Sequence, residues 1–171
     1  MKEKNKNIFY DVKSLERTMD IEKRCNKGYL QKKLSKAFPN EKLTVVEAYI
    51  NTSGKFINKS KGLLGSLLPI NRVHNLPEFC HVVVEHSTGK FTEKIFIWSP
   101  VKWNDRFLGC VGGGTATGGE GYINAPDNTS RSATLPKAVL NGFTGATTDA
   151  ACTKIEFIVI LALAGCIQPV L

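Results

Sequence analysis

"FLGCVGGGTATGGEGYI", residues 107–123, and "SRSATLPKAVLNGFTGATTD", residues 130–149, read as a strand, a glycine-rich loop, a helix and a second strand. The apolar run from Phe107 drops into a segment whose backbone must bend sharply or let another group approach closely. Beyond it, Ser130 or Ser132 is a candidate helix cap. Leu135, Ala138 and Val139 then recur at helical spacing, and Gly142 is a stop signal. "FTGATTD", residues 143–149, returns as a strand. That order belongs to an α/β architecture, in which binding loops sit at the carboxyl ends of strands.

Outward from this unit the signals are mostly strands. "CHVVVEH" (80–86) and "FTEKIFIWSP" (91–100) flank "STGK", the pattern of an antiparallel hairpin, and "VKWND" (101–105) turns the chain into Phe107. "LTVVEAYI" (43–50) has the β-branched and aromatic content of a further strand. Residues 51–62 read as a polar loop. Residues 63–77 read as a packed irregular loop, apolar yet interrupted by Gly65, Pro69 and Pro77. From Ser14 to Ala37 the residues favour helix, with Gly28 as the expected break and Pro39 and Asn40 ending the region. Three segments follow: a lysine-rich helical segment over 1–40, an α/β segment over 41–151 and an atypical apolar tail over 152–171.

The chain has 171 residues, the size of one domain with a real core, and a net charge of +8. Of its 23 Lys and Arg, 15 fall at or before Lys61 against 7 of the 15 acids, so the remainder is balanced, 8 against 8. These lysines alternate with acids and have no aromatic platform beside them, which points to a solvated surface and away from nucleic acid. "MKEKNKNIFYDV" is not followed by the apolar core of a signal peptide, so the chain reads as cytoplasmic as encoded. The apolar run Phe157–Ile167 is shorter than the roughly 18 to 20 residues that span a bilayer, so a buried strand or short helix is expected and a membrane partner is not. Five cysteines stand singly, with no C-x-x-C pair and no Cys/His zinc spacing. No metal or cofactor is implied.

Three readings compete for the glycine loop. A dinucleotide cradle needs G-x-G-x-x-G, but from Gly112 and Gly114 the third glycine would fall on Thr117, and no lysine follows as a phosphate loop requires. A glycine turn without chemistry is the plainest reading. In an oxyanion-hole loop, a strand runs into consecutive glycines so that bare N–H groups face the charge developing on an ester carbonyl.

The wider sequence favours the last. "FTEKIFIWSPVKWNDRFLGCVGGGTATGG" followed by "LPKAVLNGFTGATTDAA" resembles the N-terminal half of the tannase and feruloyl esterase family. Its members carry a phrase like "LP..WNGRFL", a run of glycines, a helix and "GY....TD". "NEKLTVVEAYI" and "LPEFCHVVVE" are similar to that family's opening, so the resemblance spans roughly residues 25–151. It implies a partial α/β-hydrolase-like sheet with flanking helices, in an enzyme that hydrolyses esters of phenolic acids. Gly112, Gly113, Gly114 and Thr115 then become the candidate oxyanion-hole backbone. Cys25 and Cys80 fall in the stretch resembling the family's disulfide-bearing opening and are the expected pair in an oxidising compartment, where family members often reside.

The resemblance stops short of the nucleophile. The family's serine in C-S-x-G-G, its histidine base and its acid lie beyond the matched block. Ser66 and Ser87 lack the flanking glycines of a nucleophile elbow, and His74, His81 and His86 all precede the loop, whereas this fold's catalytic histidine comes last. Each reads as a strand or loop histidine, and Asp149 comes too early for the usual acid. The tail after Cys152 departs from the family in composition, as a truncated or frameshifted gene would. The expectation is an N-terminal esterase fragment, inactive alone and prone to self-association. The alternative is a non-catalytic binding module that keeps half of the fold.

Overall fold

The computed structural model describes residues 20–57, 72–89, 92–110, 134–148 and 162–168. These form a mixed α/β unit built on a five-stranded sheet. Its strands are β1 (Lys42–Asn51), β4 (Phe79–Ser87), β5 (Thr92–Pro100), β7 (Thr144–Thr148) and β6 (Phe107–Gly109), in that spatial order. β2 (Lys55–Ile57) and β3 (Arg72–His74) make a separate antiparallel pair. The sheet is mostly antiparallel: only β6 and β7 run parallel, joined through helix α2 (Leu135–Leu140) as a parallel connection requires.

β4 and β5 form the expected hairpin, with Gly89 at φ 86° in its turn. β4 is almost continuously buried, and β5 is buried from Ile95 to Pro100, because both faces of the sheet are covered there. On one face, Leu43, Val45, Cys80, Val82, Val84, Ile95, Ile97 and Ala146 meet Leu30 and Leu34 of helix α1 (Lys27–Ala37). On the other, Phe79, Val83, Phe96 and Trp98 meet Val73 and Leu76 by the β2–β3 hairpin and Leu135, Ala138 and Val139 of α2. β1 holds its side of the first core through a bulge between Val45 and Glu47, which is why its inward residues are Leu43, Val45, Ala48 and Ile50 rather than a strict alternation.

Several expectations change at this level. The N-terminal helical region breaks two residues before Gly28: Asn26 caps α1, its Oδ1 accepting from Gly28 N at 2.9 Å and Tyr29 N at 3.1 Å. The region read as loop after β1 contains the β2–β3 hairpin. Asn51 closes the turn into it, its amide donating to Lys55 O at 3.0 Å and its Oδ1 accepting from Ser53 N at 3.0 Å. The apolar tail contributes a short helix, α3 (162–167), one of the two forms expected of it. Its Leu163 and Ile167 lie in the same core as α1 and β4, with Gln168 buried beyond them. Cys25, just before α1, is disulfide-bonded to Cys80 on β4. No helix among the described residues is long and apolar enough to cross a membrane.

Candidate functional site

The candidate oxyanion residues Gly112, Gly113, Gly114 and Thr115 lie outside the described residues, as do Ser130, Ser132 and Asp149. Both shoulders of their loop are described. On the strand side, Cys110 follows β6 and its N–H donates to Ala146 O of β7 at 2.7 Å. On the helix side, Thr134 caps α2, its Oγ1 accepting from Lys137 N at 3.3 Å, with Pro136 in the first turn where a missing N–H costs nothing. The two shoulders converge on Gly145. A Cβ there would sit 2.7 Å from the Ala138 Cβ, 3.1 Å from Leu135 Cδ2 and 3.6 Å from Cys110 Sγ. Glycine at this position lets α2 settle directly onto β7.

The phrases "WNDR" and "NGF" form one structure. Asn104 N donates to Gly142 O at 3.0 Å and Asn104 Nδ2 to Asn141 O at 2.7 Å. Arg106 O accepts both Trp103 Nε1 at 2.8 Å and Thr144 N at 3.0 Å. The corner needs two left-handed residues, Asp105 at φ 63° and Gly142 at φ 74°. Asn104 Oδ1 steadies the first by accepting from Arg106 N at 3.2 Å, and the Arg106 guanidinium lies 6.0 Å from the centre of the Phe143 ring. The turn into β6 is therefore clamped to the turn between α2 and β7. β6 thus ends at a base held at both ends, and the glycine residues follow it in the sequence.

Cys110 sets a thiol beside this base, 3.6 Å from where a Cβ on Gly145 would lie, and its chemistry is suppressed. Burial pushes its thiol up to about 12, opposed only in part by the Ala146 backbone. A neutral, buried thiol is neither a nucleophile nor a metal ligand at pH 7. A group whose folded pKa is raised stays protonated in the folded chain while the unfolded chain ionises. Stability is therefore expected to fall as the pH rises from about 9 towards 12. At pH 8, Ellman's reagent is expected to react with the half-buried Cys166 in the folded chain and with Cys110 only on unfolding. Titration of Cys110 in the folded protein at the rate of Cys166 would contradict its burial.

The histidines stand away from this base. His81 Nε2 lies 3.4 Å from Glu47 Oε2, and its ring packs among Tyr49, Phe56 and Trp98. His86 Nε2 lies 3.3 Å from Glu41 Oε2. His74 pairs with Lys55 across β2 and β3. A polar cluster that the sequence did not point to lies beneath the sheet: Ser99 Oγ is 2.7 Å from Thr144 Oγ1 and accepts from Gln168 Nε2 at 2.9 Å, and Gln168 also donates to Pro100 O at 2.9 Å. Ser99 is fully buried and bonded to Thr144 and Gln168, so this cluster fastens α3 to β5 and β7 and offers no activated hydroxyl. Among the described residues no three His, Cys, Asp or Glu side chains are grouped to hold a metal.

No family model, curated protein or solved structure matches this chain.

Proposed function

We propose that residues 41–151 are the N-terminal part of an α/β-hydrolase of the tannase and feruloyl esterase type. In this reading Gly112, Gly113, Gly114 and Thr115 supply backbone donors to the oxyanion of a phenolic ester. The observation that carries it is the clamp between the Trp103–Arg106 turn and the Asn141–Phe143 turn. The phrases in which the sequence resembles that family meet in space, at the foot of a strand–glycine loop–helix unit on a parallel strand. An α/β-hydrolase draws one oxyanion donor from its own strand-to-first-helix loop. The disulfide between Cys25 and Cys80 supports work in an oxidising compartment.

The chain carries no serine in a nucleophile elbow and no histidine after the loop, so residues 1–171 are expected to leave methyl gallate and methyl ferulate intact. Turnover that survives replacement of every serine would defeat the serine-esterase reading. Fused in frame to a C-terminal half carrying the C-S-x-G-G serine, the chain is expected to hydrolyse these esters. Gly113→Val in that fusion is then expected to lower kcat by about 10²- to 10³-fold with little change in KM, because the lost donor acts on the transition state. An unchanged kcat would reduce "VGGGT" to a turn. One observation favours the second reading, a non-catalytic module: the sheet is covered on both faces by elements of this chain. A cooperative melt with no turnover in the fusion would select it.

A further inference from the structure

Among the described residues β1 is an outer strand of the sheet, paired to β4 on one side only. An open strand edge is a template for pairing with another chain, and folded proteins cover such edges. Half of this one is covered in an unusual way. The side-chain amide of Gln31, on α1, lies along the edge and copies a peptide unit. Its Oε1 accepts from Val45 N at 2.7 Å and its Nε2 donates to Leu43 O at 3.0 Å.

Those two bonds identify which groups of β1 face outward. Residues 43 and 45 turn their N–H and C=O away from β4, so in an antiparallel ladder every second residue does the same. The bulge between Val45 and Glu47 adds one residue and shifts the series to Ala48 and Ile50. No hydrogen bond to the outward backbone groups of Ala48 or Ile50 is found among the described residues. The side chains of this half are Glu47, Ala48, Tyr49, Ile50 and Asn51. Tyr49 is 42% exposed, one of the few large apolar side chains in the described residues that are.

We propose that this open half of β1 pairs with the same segment of a second copy, in antiparallel register about Tyr49. Only one register uses the edge fully. With Ala48 opposite Ile50 of the partner subunit, and the reverse by symmetry, both outward residues on each copy exchange their N–H and C=O, giving four inter-chain bonds. Tyr49 then faces Tyr49 of the partner subunit at the two-fold axis, an aromatic cross-strand pair. Glu47 faces Asn51 of the partner subunit, so no like charges meet. β1 ends at Asn51, so the partner strand runs out beside Glu47 and does not reach the Gln31 amide at Val45. Moving the register by two residues one way drives the partner into Gln31. Moving it the other way uses residues beyond the end of β1. This pairing is independent of the hydrolase reading, which concerns the opposite edge of the sheet.

Sedimentation of the disulfide-intact chain over roughly 10 μM to 1 mM, the range of a small transient interface, is expected to show monomer and dimer exchanging. Ala48→Pro removes an outward N–H that β4 does not use, and is expected to weaken the dimer about tenfold or more. Tyr49→Lys sets two like charges on the axis and is expected to do the same, in a variant that keeps every backbone bond. Mild oxidation of Tyr49→Cys is expected to give a covalent dimer, and that of Thr44→Cys none. A chain that stays monomeric to 1 mM overturns the pairing. So does a dimer that neither Ala48→Pro nor Tyr49→Lys weakens while circular dichroism shows the fold intact, or cross-linking through Thr44→Cys but not Tyr49→Cys.

Discussion

Reduction of the Cys25–Cys80 disulfide is expected to lower the stability of the folded chain by about 4 kcal/mol. The bond closes a loop with a sequence separation of 55, which holds α1, β1 and the β2–β3 hairpin. Without it the unfolded chain regains the freedom of that whole loop, and in the chain-entropy picture this is the main loss. The folded state is expected to change less, since Cys25 and Cys80 sit in a core packed by Leu30, Leu34 and Val82. Urea unfolding with and without a phosphine reductant checks this. The reduced chain should also show a larger dependence on denaturant, because its unfolded state exposes more surface. For a domain of this size the loss corresponds to a melting temperature lower by roughly 10 °C. Coincident unfolding curves would mean that the packing around Cys80 carries the stability alone.

How far the sequence disclosed this molecule depends on how local each signal is. The β4–β5 hairpin was legible because Val82–Val84 and Ile95–Ile97 are dense in strand formers and "STGK" holds a glycine that the turn uses at positive φ. The Cys25–Cys80 pair was legible only through resemblance. The helix break fell at Asn26 rather than Gly28 because a capping side chain there satisfies two N–H groups, and Gly28 fits the first turn of α1 without strain. β2 and β3 were missed because three residues are too few to display a period of two. Strand order was illegible in principle: β7 inserts between β5 and β6, and the reason is spatial, the seat of α2 on Gly145. Of the candidate site, the glycine residues and their neighbouring phrases stood out as sequence. The clamp from Asn104 to Asn141 and Gly142 did not, because its partners lie 37 or more residues apart. The Ser99–Thr144–Gln168 cluster was hidden for the same reason.

Replacing Leu163 and Ile167 together by alanine is expected to cost about 4 kcal/mol or more, enough to leave much of the chain unfolded. The composition of the tail had suggested a segment foreign to the rest. The structure instead sets Leu163 at 1% and Ile167 at 0% exposure, in the core formed by α1, β1, β4 and β5. A helix as short as α3 has little stability of its own in water, so its apolar face must be held by tertiary packing, and its loss would uncover that side of the sheet. The two side chains are one turn apart in one core, so the cost of the double change is not expected to equal the sum of the single ones. Gln168→Ala adds an independent probe: it leaves the Pro100 carbonyl without this donor and Ser99 with Thr144 alone, a loss of roughly 1 to 3 kcal/mol for a buried polar group. Gly165→Ala is the control, since Gly165 is exposed and a Cβ there meets nothing within 4 Å. On helix propensity alone it should leave stability unchanged or raise it by up to about 1 kcal/mol. If the double variant melts with the unaltered chain, α3 does not seal the core. If it unfolds while Gly165→Ala does not, residues 162–168 belong to the fold as fully as β4 does.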